Sequence, residues 1–172
     1  EAAVDYEEAG FHGLGSGRAL DVLAAALDDT SLPESDPLRV LAEAAYGRAL
    51  VMSGRFGEGH AQLARSVARA RALADEHLLL AVLARSVPLA VKLTADGGLE
   101  QMRSQREYAY EVTMLARRRG ELRPLNVATQ MRAFAAYILG DPIELDTALE
   151  ELLLTGRVTN EPIFRWRGRC LM

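Results

Sequence analysis

The strongest constraint on this chain is the regular spacing of three glycines, each of which lies between two helix-like apolar stretches. Gly54, Gly97 and Gly140 follow one another at intervals of 43 residues. Seven positions before each of them the sequence has a small residue: Gly47, Ala90 and Ala133. Small side chains let two helices approach closely, so the interval predicts stacked helical hairpins that turn at each glycine.

The composition favours helix throughout. Alanine (28) and leucine (27) dominate the 172 residues, and there are only 6 prolines. Both dominant residues keep their rotamer freedom and an uncrowded backbone in a helix. We therefore expect an all-α protein, with residues 1–172 forming a single helical-repeat domain.

Apolar periodicity and turn residues place the individual helices. Ser16 is the expected N-cap of the first helix, and Asp36-Pro37 opens the second with a cap and a first-turn proline. Pro88 predicts a kink or a split within the fourth helix, and residues 159–162 are expected to open a final one. The expected helices are 17–29, 37–53, 58–75, 76–94, 99–119, 121–139 and 142–154.

Charge and cysteine content exclude several classes of function. The net charge is −4 and the sequence pI is about 5.5, which argues against a broad nucleic-acid surface. The single cysteine, Cys170, requires no oxidising compartment. The longest uninterrupted apolar run, residues 78–84, is far shorter than the roughly 20 residues that cross a bilayer. We expect a cytoplasmic protein with no membrane contact.

Both ends of the sequence suggest a module excised from a longer chain. Residues 1–8 lack an initiator methionine and are acidic where a secretory signal would be basic. Residues 163–172 stop among apolar and arginine residues without a glycine cap. We expect the last helix to continue in the parent protein.

Two short strings resemble the tetratricopeptide signature. Residues 46–50 (Tyr-Gly-Arg-Ala-Leu) are followed by residues 53–59 (Ser-Gly-Arg-Phe-Gly-Glu-Gly), a small residue in the first helix and a glycine turn opening the second. Residues 139–141 (Leu-Gly-Asp) resemble the same turn. The family's unit is about 34 residues, shorter than the interval found here. The resemblance implies a right-handed superhelix of antiparallel hairpins. The spacing of the glycines sets its repeat at about 43 residues.

The segment 111–167 is similar to the region that follows the ATPase domain in LuxR-type activators and in ATPase-coupled nucleotidyl cyclases. The similarity rests on residues 114–117 (Met-Leu-Ala-Arg), 131–134 (Met-Arg-Ala-Phe), 139–141 and 162–167 (Pro-Ile-Phe-Arg-Trp-Arg). In such regulators the ATPase, cyclase and DNA-binding parts lie in other segments. The resemblance implies sensing or protein contact, with a protein partner, a neighbouring ATPase domain of the same chain or a small-molecule inducer.

Stacked hairpins create a concave groove lined mainly by the first helix of each pair. By the repeat register, Arg48, Gln130, Phe134 and Tyr137 point into it, where aromatic and guanidinium groups suit recognition. The alternative is that Phe134 and Tyr137 pack against a neighbouring helix. Arg165, Trp166 and Arg167 form a second candidate, either an interface anchor of the parent protein or an end exposed by excision.

No catalytic, cofactor or metal site is expected from the sequence. The glycines at 10, 13, 15 and 17 have neither the spacing nor the preceding strand of a phosphate-binding loop. The three histidines, at 12, 60 and 77, are isolated from other ligands, and neither Ser66 nor Cys170 has a neighbouring base. A triad assembled from distant residues stays open. The leading hypothesis is a non-catalytic sensor region, and the alternatives are an assembly scaffold and an independent helical enzyme.

Two sets of arginines bear on how the helices pack: a cluster at a helix end and a single arginine at a position expected to be apolar. Arg117, Arg118 and Arg119 close a helix, where cations meet the negative end of its dipole, so a solvated cap is favoured over an anion site. Arg106 stands where Leu63 and Leu149 lie in the neighbouring units, which puts the packing of its helix in question.

Overall fold

The computed structural model describes residues 16–28, 32–87 and 98–159. Within these residues the chain forms seven α-helices and no strand, and the helices pack as antiparallel neighbours within each of two groups, Ser16–Ser86 and Gly98–Thr159. The all-α prediction is confirmed for this part of the chain. The helices are α1 (Ser16–Asp28), α2 (Pro37–Met52), α3 (Phe56–Ala72), α4 (Glu76–Ser86), α5 (Gly98–Arg119), α6 (Leu122–Leu139) and α7 (Pro142–Thr159).

The aspartate caps explain where two of the helices begin. The Asp36 carboxylate accepts a hydrogen bond from the Leu38 amide at 2.8 Å, and Pro37 occupies the first turn of α2. Asp75 accepts from the amides of His77 and Leu78, which opens α4. The capping prediction for α2 is confirmed. Ser16 is the first residue of α1.

Two of the three spaced glycines have the left-handed backbone that a helix-ending turn requires. Gly54 has φ +88° and Gly140 has φ +72°, a conformation that residues with a side chain rarely adopt. The predicted turns at these positions are confirmed. Gly97 lies outside the described residues.

Several helix ends differ from the expected ones or lie outside the described residues. α3 spans Phe56–Ala72 rather than 58–75, so it begins two residues and ends three residues early, and α7 continues to Thr159 rather than stopping at 154. Gly156 is buried inside α7, so this glycine packs within the helix instead of ending it. α4 ends at Ser86, whereas the kink expected at Pro88 and the final helix expected from 159–162 fall outside the described residues.

The chain divides into two compact units, residues 1–90 and 91–172. In unit 1, α2 packs against α1, α3 and α4, and α3 also packs against α4. In unit 2, α6 packs against both α5 and α7. The largest fully buried side chains of unit 1 are Leu23, Val40, Val51, Leu63, Val67, Leu80, Val82 and Leu83, and those of unit 2 are Met102, Val112, Met131 and Leu152.

The two units share one register along the sequence. The hairpin α2–α3 starts its helices at Pro37 and Phe56, and α6–α7 starts at Leu122 and Pro142, which places the pairs 85 and 86 residues apart. Buried positions repeat at an offset of 86, twice the glycine interval: 19 and 105, 23 and 109, 40 and 126, 43 and 129, 47 and 133, 66 and 152, 70 and 156. The helix bounds and the burial patterns of the two units therefore correspond at an offset of 86 residues.

Candidate interaction surface

Three of the predicted groove residues lie on one face of α6. Gln130, Phe134 and Tyr137 follow one another at helical spacings of four and three residues, which places them on the same side. Gln130 and Phe134 are half-buried, and Tyr137 is 70% exposed. The buried side chains of α6 occupy the rest of its circumference, where α5 and α7 pack. We call these three residues the α6 face.

Gln130 contributes an unsatisfied polar atom to the α6 face. Its Oε1 is inaccessible to solvent and has no hydrogen-bond partner among the described residues. A buried amide oxygen without a partner costs free energy, about 1–3 kcal/mol in proteins. Because the atom is closed to solvent, a bound molecule reaches it only if the Gln130 side chain moves. The α6 face thus offers an aromatic side chain open to solvent together with a half-buried amide.

Arg48, the fourth predicted residue, lies on α2 in unit 1 and is half-buried. It stands 86 residues before Phe134, so the two occupy the same position of the repeat. The structure therefore brings Gln130, Phe134 and Tyr137 together on one helix and places Arg48 on the equivalent helix of the other unit. Arg165, Trp166 and Arg167 lie outside the described residues.

Sequence reasoning missed a buried charge cluster in unit 2. The Arg132 side chain on α6 is only 6% exposed. Its Nε donates to Glu144 Oε1 at 2.7 Å and its Nη1 to Glu151 Oε2 at 2.8 Å, both on α7. Its guanidinium carbon lies 5.0 Å from the ring centroid of Tyr110 on α5, within the range of a cation–π contact. Arg117 of α5 completes the cluster by donating to Glu151 Oε1 at 2.5 Å. We call this set the Arg132 clasp.

The electrostatics of the Arg132 clasp favour a structural role. Burial opposes the charge of Arg132, but the hydrogen bonds and charges of Glu144 and Glu151 outweigh it and raise the pKa of the guanidinium. Burial, together with the hydrogen bond to Glu144 and the charge of that carboxylate, raises the pKa of Tyr110. Two arginines meet two glutamates, so the charges balance. The guanidinium groups are engaged by carboxylates, and the clasp joins α5, α6 and α7 rather than offering an anion site.

The Arg132 clasp had only a weak signal in the sequence. An arginine between Met131 and Ala133 in an apolar helix needs a counter-charge, and Glu144 and Glu151 are spaced seven residues apart, on one face of a helix. The pairing itself depends on how α6 and α7 pack, which periodicity does not specify.

Arg106 lies where the sequence of the neighbouring units has leucine, and in the structure its side chain contacts a carboxylate. Arg106 Nη1 lies 3.7 Å from Asp141 Oδ2, at the turn between α6 and α7. The half-buried guanidinium thereby reaches a carboxylate instead of filling an apolar position, and α5 still packs along α6. At the helix end predicted as a solvated cap, Arg117 pairs with Glu151 and Arg119 with Glu121.

Unit 1 holds α2 against α3 in a different way. Arg69 of α3 donates to both carboxylate oxygens of the nearly buried Glu43, at 2.5 and 2.7 Å, and also to the Glu34 carbonyl. Near this pair the backbones of α2 and α3 approach closely at Gly47 and Gly59. A Cβ on Gly59 would lie 2.7 Å from the Gly47 carbonyl oxygen and 2.6 Å from Val51 Cγ2.

Within the described ranges, no group of three or more His, Cys, Asp or Glu side chains could hold a metal ion. Of the helices in these ranges, none has the length and apolar character needed to cross a membrane. Comparison with protein-family models and with curated proteins finds no match to this chain.

Proposed function

We propose that this chain is a non-catalytic sensor and protein-interaction module of a larger cytoplasmic bacterial regulator, built as a tetratricopeptide-like right-handed superhelix. The α6 face is its contact surface. The partner is a neighbouring ATPase domain of the same parent chain, a separate protein or a small-molecule inducer. The resemblance of residues 111–167 to the region after the ATPase domain of LuxR-type activators and ATPase-coupled cyclases supports this assignment.

The observation that carries the proposal is the composition of the α6 face. A tyrosine that is 70% exposed beside a half-buried phenylalanine supplies apolar area and a hydroxyl donor at low entropic cost. Tyr137 is the part of this face that a partner reaches without rearrangement, and the half-buried Gln130 amide lies on the same side of the helix. Binding at such a face acts on a regulator only where the partner has different affinities for two of its states.

The proposal is tested in two ways, by the gene sequence upstream of residue 1 and by a binding measurement. The proposal predicts a Gly-x-x-x-x-Gly-Lys-Ser/Thr segment encoded upstream of residue 1. That ATPase domain is purified and titrated against this chain by calorimetry. Tyr137→Ala weakens the affinity about tenfold or more, as expected for an aromatic hot spot. Ile143→Ala removes a side chain that is 80% exposed but lies on α7, and it leaves the affinity unchanged. An upstream sequence without that segment, or equal affinity of the Tyr137 variant, contradicts the proposal.

The second candidate function is an assembly scaffold, and the outer face of α7 favours it. Ile143, Leu154 and Val158 are all strongly exposed there, at spacings that place them along one side of the helix. Light scattering over a wide range of concentrations distinguishes the two functions. A scaffold self-associates as concentration rises, and Leu154→Glu returns it to the monomer. A sensor module stays monomeric without its partner.

A further inference from the structure

The Arg132 clasp shows which sides of α5 and α7 face one another. The Arg132 guanidinium carbon lies 5.0 Å from the ring centroid of Tyr110 on α5. Arg132 also donates to Glu151 on α7, and Arg117 of α5 donates to the same carboxylate. Tyr110 and Arg117 therefore mark the side of α5 that faces α7, and Glu151 marks the side of α7 that faces α5.

Three large apolar side chains beside this line of contact are more than half exposed: Met114, Leu154 and Val158. Met114 lies between Tyr110 and Arg117, at spacings of four and three residues, so it shares their side of α5. Leu154 and Val158 follow Glu151 by three and seven residues, which places them along its side of α7. We call Met114, Leu154 and Val158 the α5–α7 surface.

The same positions in unit 1 carry small or charged side chains. The residues 86 positions before the α5–α7 surface are Asp28, Ala68 and Ala72, and all three are exposed. The repeat register therefore leaves these positions in solvent in both units, and unit 2 places large apolar side chains there. Clustered apolar side chains that remain exposed in a soluble domain mark a site of interaction.

The side chains around the α5–α7 surface carry an excess of positive charge. The last six residues of α5 and of α7, 114–119 and 154–159, contain four arginines and no carboxylate. Two carboxylates from outside these ranges reach them, Glu151 at Arg117 and Glu121 at Arg119. Glu150 lies on the flank of α7 away from α5. The whole chain is negative, at −4, so this end of unit 2 has the opposite sign.

We propose that the α5–α7 surface binds a segment of a partner protein that carries both acidic and apolar side chains. The apolar side chains of the segment cover Met114, Leu154 and Val158, and its carboxylates meet the arginines at the ends of α5 and α7. Arg157 is placed for this role, because it is exposed and directly precedes Val158. Complementary charge of this kind selects the partner and orients it. The inference does not rest on the α6 face, and either proposal can fail without the other.

The test uses two labelled amphipathic peptides as probes, with leucines at the same positions and either glutamates or lysines at the others. Fluorescence anisotropy measures their binding to the full chain at low ionic strength. We expect the glutamate peptide to bind saturably and about fivefold or more tightly than the lysine peptide. Equal binding of the two peptides, or no saturable binding of the glutamate peptide, overturns the proposal.

Variants then locate the binding site of the glutamate peptide. Leu154→Gln weakens its binding several-fold. Ile143→Gln is the matched control, since Ile143 is 80% exposed on the same helix but lies about 16 Å away along its axis, and it leaves binding unchanged. Arg157→Glu also weakens binding, whereas Arg71→Glu, at the equivalent exposed position of unit 1, does not. Circular dichroism checks that the variants keep their helix content. Equal losses within either pair of variants overturn the proposal.

Two further measurements identify a different occupant of the same surface. Light scattering that shows self-association of the native chain, abolished by Leu154→Gln, assigns the surface to a second copy of the chain. Sedimentation of the chain with phosphatidylserine vesicles, abolished by the same substitution, assigns it to an anionic lipid surface. Either result overturns the proposal. A chain that stays monomeric and leaves the vesicles unbound, while it binds the glutamate peptide, supports it.

Discussion

The hairpins α2–α3 and α6–α7 occupy the same register of the repeat, yet they are held together by different interactions. In α2–α3 the backbones meet at Gly47 and Gly59, and an ion pair joins Glu43 to Arg69 at the edge of the contact. In α6–α7 the equivalent positions carry Ala133 and Leu145, and since a Cβ at Gly59 would lie 2.6 Å from Val51 Cγ2, a leucine in its place excludes an equally close approach. The Arg132 clasp spans the second hairpin instead. A repeat can thus conserve its helix bounds while its contacts change from close backbone packing to buried charge.

The largest expected effect comes from removing the charge at the centre of the Arg132 clasp. Arg132→Met leaves Glu144 and Glu151 nearly buried without their common partner, which costs about 3–5 kcal/mol of unfolding free energy. Urea denaturation followed by circular dichroism measures the loss. Arg117→Met is the matched control, since Arg117 shares Glu151 but is 53% exposed, and it costs at most about 1 kcal/mol. Equal losses in the two variants would contradict a clasp centred on Arg132.

The close approach in unit 1 predicts the next effect. Gly59→Ala places a Cβ within 2.8 Å of the Val51 amide nitrogen, so α2 and α3 must separate. We expect a loss of about 1–3 kcal/mol. Gly57→Ala, in the same helix, meets nothing within 4 Å and stabilises α3 by up to about 1 kcal/mol through helix propensity. Denaturation midpoints that move in the same direction for both variants would show that the two helices do not meet at Gly59.

A smaller difference in stability is expected between variants at the starts of α4 and α6. Asp75→Ala removes the side-chain acceptor of two amides at the start of α4 and costs about 1 kcal/mol. Glu121 precedes α6 without a side-chain cap bond. We therefore expect Glu121→Ala, which removes a partly exposed ion pair with Arg119, to cost less. Thermal melts of both variants measure the difference. A larger loss for the Glu121 variant would contradict the capping account.

The smallest effect is a pH dependence confined to unit 1. Burial lowers the pKa of His60 in α3, and unit 2 has Asp146 at the equivalent position. The unfolded chain then binds a proton more readily than the folded chain. The unfolding free energy therefore falls as the pH drops below about 6.5, the ordinary histidine pKa. His60→Gln removes this part of the slope, while its curve runs parallel to that of the native chain at alkaline pH. An unchanged slope in the variant contradicts the assignment to His60.

Local signals in the sequence were sufficient for much of the fold. The turns at Gly54 and Gly140 and the start of α2 at Asp36-Pro37 follow from backbone preferences that act over a few residues. The end of α7 was predicted at residue 154, five residues before its observed end at Thr159. The observed helix includes Gly156. Its burial inside α7 depends on tertiary packing, which local preferences do not contain.

The candidate site was less accessible to prediction for the same reason. Gln130, Phe134 and Tyr137, which the repeat register assigns to a groove, share one face of α6, a relation that follows from helical spacing alone. Whether that face lines a groove stays a prediction. The partners of Arg132 and Arg106 lie on other elements, and no period in the sequence pairs them. Whether the α6 face binds a partner stays a prediction.

The most direct test of the comparison is a double-mutant cycle between Arg132 and Glu144, read as the free energy of unfolding in urea. Because a 2.7 Å hydrogen bond joins these two buried or half-buried side chains of α6 and α7, the account predicts that Arg132→Met and Glu144→Gln together lose clearly less stability than the sum of the two single losses. Additive losses would show that buried charge does not hold α6 against α7.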